Sequence, residues 1–77
     1  MQTFDRIAMI PNVVQGQPCV KGTRITVRRV LDMCATYPDR KELFHDFPEL
    51  TEEDVRQCLA FAAQNLATEI IDLPVAS

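Results

Sequence analysis

The stretch Thr51 to Ala67, TEEDVRQCLAFAAQNLA, limits the possible folds more than any other part of this chain. Val55, Cys58, Leu59, Ala62 and Leu66 recur at i, i+3, i+4, i+7 and i+11, which places them on one face of a helix. Thr51 is a good N-cap, because its hydroxyl can accept an otherwise unpaired backbone N–H. Asp54, three residues on, has the capping-box spacing that lets it reach back to the Thr51 N–H. Leu50 stands where a hydrophobic staple would close the entry to the helix. A short break at Pro48-Glu49-Leu50 separates this segment from an earlier apolar-periodic one. Two helices joined so tightly lead us to expect a helix-turn-helix.

The expected neighbours follow from the same rules. A second, shorter helix is predicted over about Arg40 to Phe47, with Asp39 as its cap and Leu43, Phe44 and Phe47 on its apolar face. The first helix is predicted over about Thr26 to Ala35. Thr26 or Thr23 can cap it, Val27, Val30, Leu31 and Cys34 form its stripe, and Arg28, Arg29 and Asp32 face outward. Pro38 ends it by disfavouring the helical conformation at Tyr37. Residues 4–25 hold three short apolar pieces, around Ile7–Ile10, Val13-Val14 and Cys19-Val20, punctuated by turn residues, and read as strands and turns. Gly22 can adopt a positive φ in the last of these turns. Pieces this short do not make a stable sheet alone, so they are expected to pair with a second chain or to lie against the helices. The expected architecture is mainly α: a three-helix, homeodomain-like helix-turn-helix preceded by short N-terminal strands. It forms one domain over residues 1–77, with a β/turn segment at 4–25, helices within 26–68 and an apolar tail at 69–77.

A chain of 77 residues rarely stabilises itself by more than about 3–5 kcal/mol without further help. Three cysteines, Cys19, Cys34 and Cys58, cannot all pair within one chain, and with His45 as the sole histidine they lack the spacing of a zinc site. Cys34 and Cys58, on apolar helix faces, read as buried small apolar residues rather than redox sensors. Oligomerisation is the remaining support, and a homodimer is expected. No signal peptide and no membrane span is legible, so a cytoplasmic location is expected. The net charge of −3 conceals an asymmetry: residues 1–31 carry five cations against one acid, and residues 32–77 carry three against ten.

Catalysis finds little support. His45 has no nucleophile or orienting partner nearby in the sequence and reads as a solvated helix residue. Glu49, Glu52, Glu53 and Asp54 lack the spacing of a calcium loop, and they read as acids complementing a helix dipole. Gly16 and Gly22 are too sparse for a phosphate-binding loop. No cofactor is implied. A major-groove reading would use the start of the last helix, where Arg56 can read guanine and Gln57 adenine. Lys21, Arg24, Arg28 and Arg29 would then hold the phosphate backbone. The acids beside Arg56 oppose that reading, and the basic set is equally compatible with a solvated face.

Two segments carry a resemblance. GQPCVKGTRI, Gly16 to Ile25, and FPELTEEDVRQCLAFA, Phe47 to Ala62, together resemble domain-of-unknown-function family 433 over about residues 7–66. The resemblance implies a homeodomain-like helix-turn-helix with an N-terminal β segment, and an antitoxin partnered with a PIN-like ribonuclease toxin. It also implies possible binding of operator DNA; the alternative is a helix-turn-helix transcriptional regulator without a toxin. Where the family usually has a glycine between its first two helices, this chain has Tyr37-Pro38-Asp39. In GTRI, Gly22 is expected to make the turn, Thr23 to cap or brace it and Ile25 to enter the core. Arg24 is expected either to meet a carboxylate of the acidic half or to face DNA or the toxin. In the tail, Ile70, Ile71 and Leu73 are the expected apolar contacts to a partner, since residues 69–77 contain no cation.

Overall fold

The computed structural model of the chain describes residues 4–9 and 16–66. The order of elements is β1 (Ile7–Met9), β2 (Pro18–Val20), α1 (Val27–Thr36), α2 (Arg40–Asp46) and α3 (Glu52–Asn65). Three helices preceded by a two-stranded antiparallel sheet make the fold mainly α, as the periodicity and capping signals led us to expect.

Each helix starts at the residue its chemistry specifies. The Thr26 hydroxyl accepts from the Arg29 N–H, the Asp39 carboxylate from the Lys41 N–H, and the Thr51 hydroxyl from the Asp54 N–H. At α3 the box is complete, because the Thr51 N–H also donates to Asp54 Oδ2 at 3.0 Å. The end of α1 explains how this chain manages without a glycine there. Tyr37 leaves the helix in an extended conformation, with φ −107°, so no left-handed residue is needed. Its ring packs edge-on against Phe47 at 6.2 Å, and its hydroxyl donates to Asp46 at 2.7 Å, tying the end of α1 to the end of α2.

The strands pair with each other and lie against the helices. Ile7 stands opposite Val20 and Met9 opposite Pro18, with β1 contacting α3 and β2 contacting α1. Beyond β2 the chain turns back on itself, so that Cys19 also bridges Thr26. Gly22 makes this turn at φ +82°, a conformation costly for residues with a Cβ. Thr23 braces it: its hydroxyl donates to the Val20 carbonyl at 2.9 Å and accepts from the Ile25 N–H at 3.0 Å. Around Leu43, Val20, Val30, Val55 and Cys58, all fully buried, the helices and β2 share one core. Leu50 and Val55, at the staple positions, are both part of it. Met33 joins this core although the predicted stripe omitted it, while Leu31 and Cys34 only border it. Burial in that core pushes the Cys58 thiol up to about 11, as expected of an inert apolar residue. Among the described residues no helix is long and apolar enough to cross a membrane.

Candidate functional site

The charged residues divide into a set held by partners and a set left open. The held set is centred on Asp54, whose side chain is 0% exposed. Asp54 Oδ2 closes the capping box, and Oδ1 accepts from Arg6 Nε at 2.6 Å. Arg6 also donates to the Lys21 carbonyl at 3.3 Å, and its guanidinium is held more firmly protonated by the Asp54 carboxylate. Gln57, 3% exposed, accepts from the Arg6 N–H at 2.9 Å and donates to Asp5 Oδ1 at 2.6 Å and Glu53 Oε2 at 2.9 Å. Phe4 packs edge-on against Phe61 at 5.3 Å. Residues 4–6 are thereby fastened along α3 by a polar network, and among the described residues every buried side-chain nitrogen and oxygen has a hydrogen-bond partner.

This network changes the reading of two predicted site residues. Gln57, expected to read adenine from the start of the last helix, is turned inward with its amide already bonded on both sides. The polar residue at the sixth position of the helix is buried here because β1 packs on that side of α3. Arg56 is exposed but bonded to Glu53, with Nε 2.9 Å from Oε1, and that contact and the Gln57 amide hold the Glu53 carboxyl down at about 2. Glu52 is paired in turn with Arg40 at 3.3 Å. The outer face at the start of α3 therefore presents acids and neutralised ion pairs to any duplex. The bracing role considered for Arg24 belongs to Arg6, which reaches the carboxylate of the acidic half that Arg24 does not.

The open set is compact in sequence. Lys21, Arg24, Arg28 and Arg29 are all exposed, and among the described residues none of them is paired with a carboxylate. Lys21 and Arg24 flank the Gly22-Thr23 turn, and Arg28 and Arg29 occupy the first turn of α1. That turn contains no acid, so both cations sit at the positive end of the helix dipole, where cations are disfavoured by roughly 0.3–1 kcal/mol each. Arg29 also lies over the Phe47 ring, 6.0 Å from its centroid. His45 is exposed beside Asp46, with Nδ1 3.3 Å from its carboxylate. Ile70, Ile71 and Leu73 lie outside the described residues.

The class of molecule this defines is a small three-helix protein with an N-terminal β-hairpin, whose charge is neutralised on α3 and left exposed along the turn-to-α1 segment. Residues 7–62 match the family described as proteins of unknown function, DUF433, and the chain belongs to that family. No curated protein and no solved structure matches it.

Proposed function

We propose that the chain is an antitoxin-like module that binds a PIN-like ribonuclease and occludes its acidic, metal-binding site, acting stoichiometrically and without turnover of its own. The observation that carries this reading is the unpaired segment Lys21, Arg24, Arg28 and Arg29. A surface that keeps two arginines against the dipole of its own helix holds a positive field that folding does not need. Such a field steers and orients an acidic partner. The family resemblance supplies the class of partner. Ile70, Ile71 and Leu73 are candidates for apolar contacts to it, and deleting residues 69–77 tests them.

The test is titration of this chain into an RNA-cleavage assay with a PIN-like ribonuclease encoded beside it. Inhibition should saturate at one chain per nuclease. The double variant Lys21→Glu/Arg24→Glu should require at least about tenfold more protein, with an unchanged circular dichroism spectrum. Undiminished cleavage at excess wild-type chain, or equal inhibition by the double variant, would refute the proposal.

The same four cations give operator DNA a second reading. On it the basic segment grips phosphates, and sequence is read by something other than Gln57. Binding to promoter DNA should then fall steeply with salt, by a log–log slope of about −3 to −4 for four phosphate contacts. A flat salt response removes that reading and leaves the protein partner.

A further inference from the structure

The start of α1 and the end of α3 leave an open groove of about 260 Å³ between them, walled by Pro18, Val27, Leu31, Phe61, Ala62 and Leu66. Its one charged lining residue is Arg28, whose side chain is exposed. Leu66 is the wall residue at which α3 ends, and the chain leaves it extended, at φ −69° and ψ 122°. Its side chain is 73% exposed. The sequence continues as ATEIIDLPVAS, residues 67–77, which lie outside the described residues. This segment offers the large aliphatic side chains of Ile70, Ile71, Leu73 and Val75, the acids Glu69 and Asp72, and no cation.

We propose that in the free chain residues 69–75 fold back into this groove, with Ile71, Leu73 and Val75 against its apolar walls and the acids of the segment beside Arg28. The first reason is reach. Ile71 stands five residues past Leu66, an extended span of about 17 Å, whereas packed helix axes lie about 8–10 Å apart. The second is pattern. Ile71, Leu73 and Val75 alternate, so an extended chain carries them on one side, and Pro74 suits such a chain because it needs no partner for an N–H. The third is charge: the groove has one cation, and the segment has two anions and nothing to repel it. The fourth is size. The walls of the groove comprise far fewer residues than the about 20–30 a side of a stable interface between separate chains. A segment tethered at the groove's own edge does not need that area, because its effective concentration there is of millimolar order. Docking in the groove and contact with a foreign partner are then alternative states of one segment, and the first can be observed with no partner present.

The test uses the free chain. Deleting residues 69–77 should lower Tm by roughly 4–8 °C. The double variant Ile71→Asp/Leu73→Asp should reproduce most of that fall, and Ser77→Asp should cause none. Arg28→Glu should raise Tm by at least about 2 °C more in the truncated chain than in the full one, because only the full chain also loses a pairing with the segment's acids. In a Cys34→Ser background with oxidised glutathione, the pair Gln17→Cys/Ile71→Cys should close an intramolecular disulfide at least about tenfold faster than Glu42→Cys/Ile71→Cys, since Gln17 lines the groove and Glu42 does not. An unchanged Tm on deletion overturns the proposal and leaves the segment to a foreign partner. Equal rates for the two cysteine pairs also overturn it, and this readout decides the matter if the truncated chain does not fold. Neither measurement involves a nuclease, so failure here leaves the antitoxin reading standing, and failure of that reading leaves this one.

Discussion

Two helices in this protein begin with the same device and opposite charge. α1 and α3 are each capped by a threonine whose hydroxyl accepts from the N–H three residues on, Arg29 in one and Asp54 in the other. At α3 the third residue returns the bond and completes the box, and Glu52, Glu53 and Asp54 complement the dipole. At α1 the third residue is an arginine, which cannot accept the Thr26 N–H, and Arg28 stands beside it. The start of α3 is arranged for stability. The start of α1 gives up about 1 kcal/mol of stability and keeps a positive field instead. Charges serving the fold are those with partners, and charges available to a ligand are those without.

The sharpest way to break this contrast is at Asp54. Asp54→Ala removes the reciprocal cap and leaves Arg6 and the buried amide of Gln57 in a network lacking its carboxylate. We expect a loss of about 2–3 kcal/mol, made up of the cap and the charged hydrogen bond to Arg6. In a domain of this size that corresponds to a fall in Tm of roughly 10–20 °C, measured by circular dichroism. A fall of less than about 4 °C would show that the network is peripheral. Asp54→Asn should lose less, since the amide oxygen can still accept one of the two bonds.

The legibility of the molecule follows the same division. Interactions between residues near in sequence were readable: the Thr51–Asp54 box, the caps at Thr26 and Asp39, the turn at Gly22 and helix ends within about two residues. The capping role of Asp54 was visible, but its burial was not, because Arg6 lies 48 positions away and no spacing rule links the two. For the same reason the sequence leaves Arg24 open between a carboxylate and a partner and cannot reveal that Arg6 holds Asp54 or that Gln57 is buried. Periodicity groups Leu59 and Leu66 with Val55 and Cys58, but only Val55 and Cys58 are buried, and Leu59 and Leu66 are exposed. It could not show that α1 and α2, ten and seven residues long, cover only part of a 14-residue partner. The cations from Lys21 to Arg29 are legible as charge, whereas their lack of a carboxylate partner among the described residues needs coordinates.

A smaller effect is expected from reversing the charge at α1. Arg28→Glu puts an acid in the first turn, where it complements the dipole that arginine opposes. Melting of the free chain should reveal a gain of about 0.5–1.5 kcal/mol, or roughly 2–10 °C. The same variant should bind the proposed nuclease more weakly. Stability and binding moving in opposite directions is the signature of a site maintained against the fold. A stability loss would mean that Arg28 makes a contact the fold depends on, and the contrast between the two helix starts would fail.

The smallest effect is the acid response of α3. Glu53 is held at about 2, chiefly by its bonds from Arg56 and then by the Gln57 amide, against an ordinary value of 4.5. Its folded pKa lies below its unfolded one, so the native chain binds fewer protons there than the unfolded chain in the interval between them. Its contribution is therefore complete above about pH 4.5 and disappears as pH falls toward 2. Asp46, lowered mainly by the Tyr37 hydroxyl, acts in the same direction at the end of α2. Glu53 is half exposed, so salt screens its pairing and the effect should shrink as ionic strength rises. Melting scans between pH 2 and 6 should show Tm falling below about pH 4.5, with a shallower fall in Glu53→Gln. If that variant follows the wild type throughout, the Glu53–Arg56 pair contributes nothing to stability. The acids of α3 would then divide once more, with Asp54 alone serving the fold and Glu53 merely neutralising Arg56 on the surface.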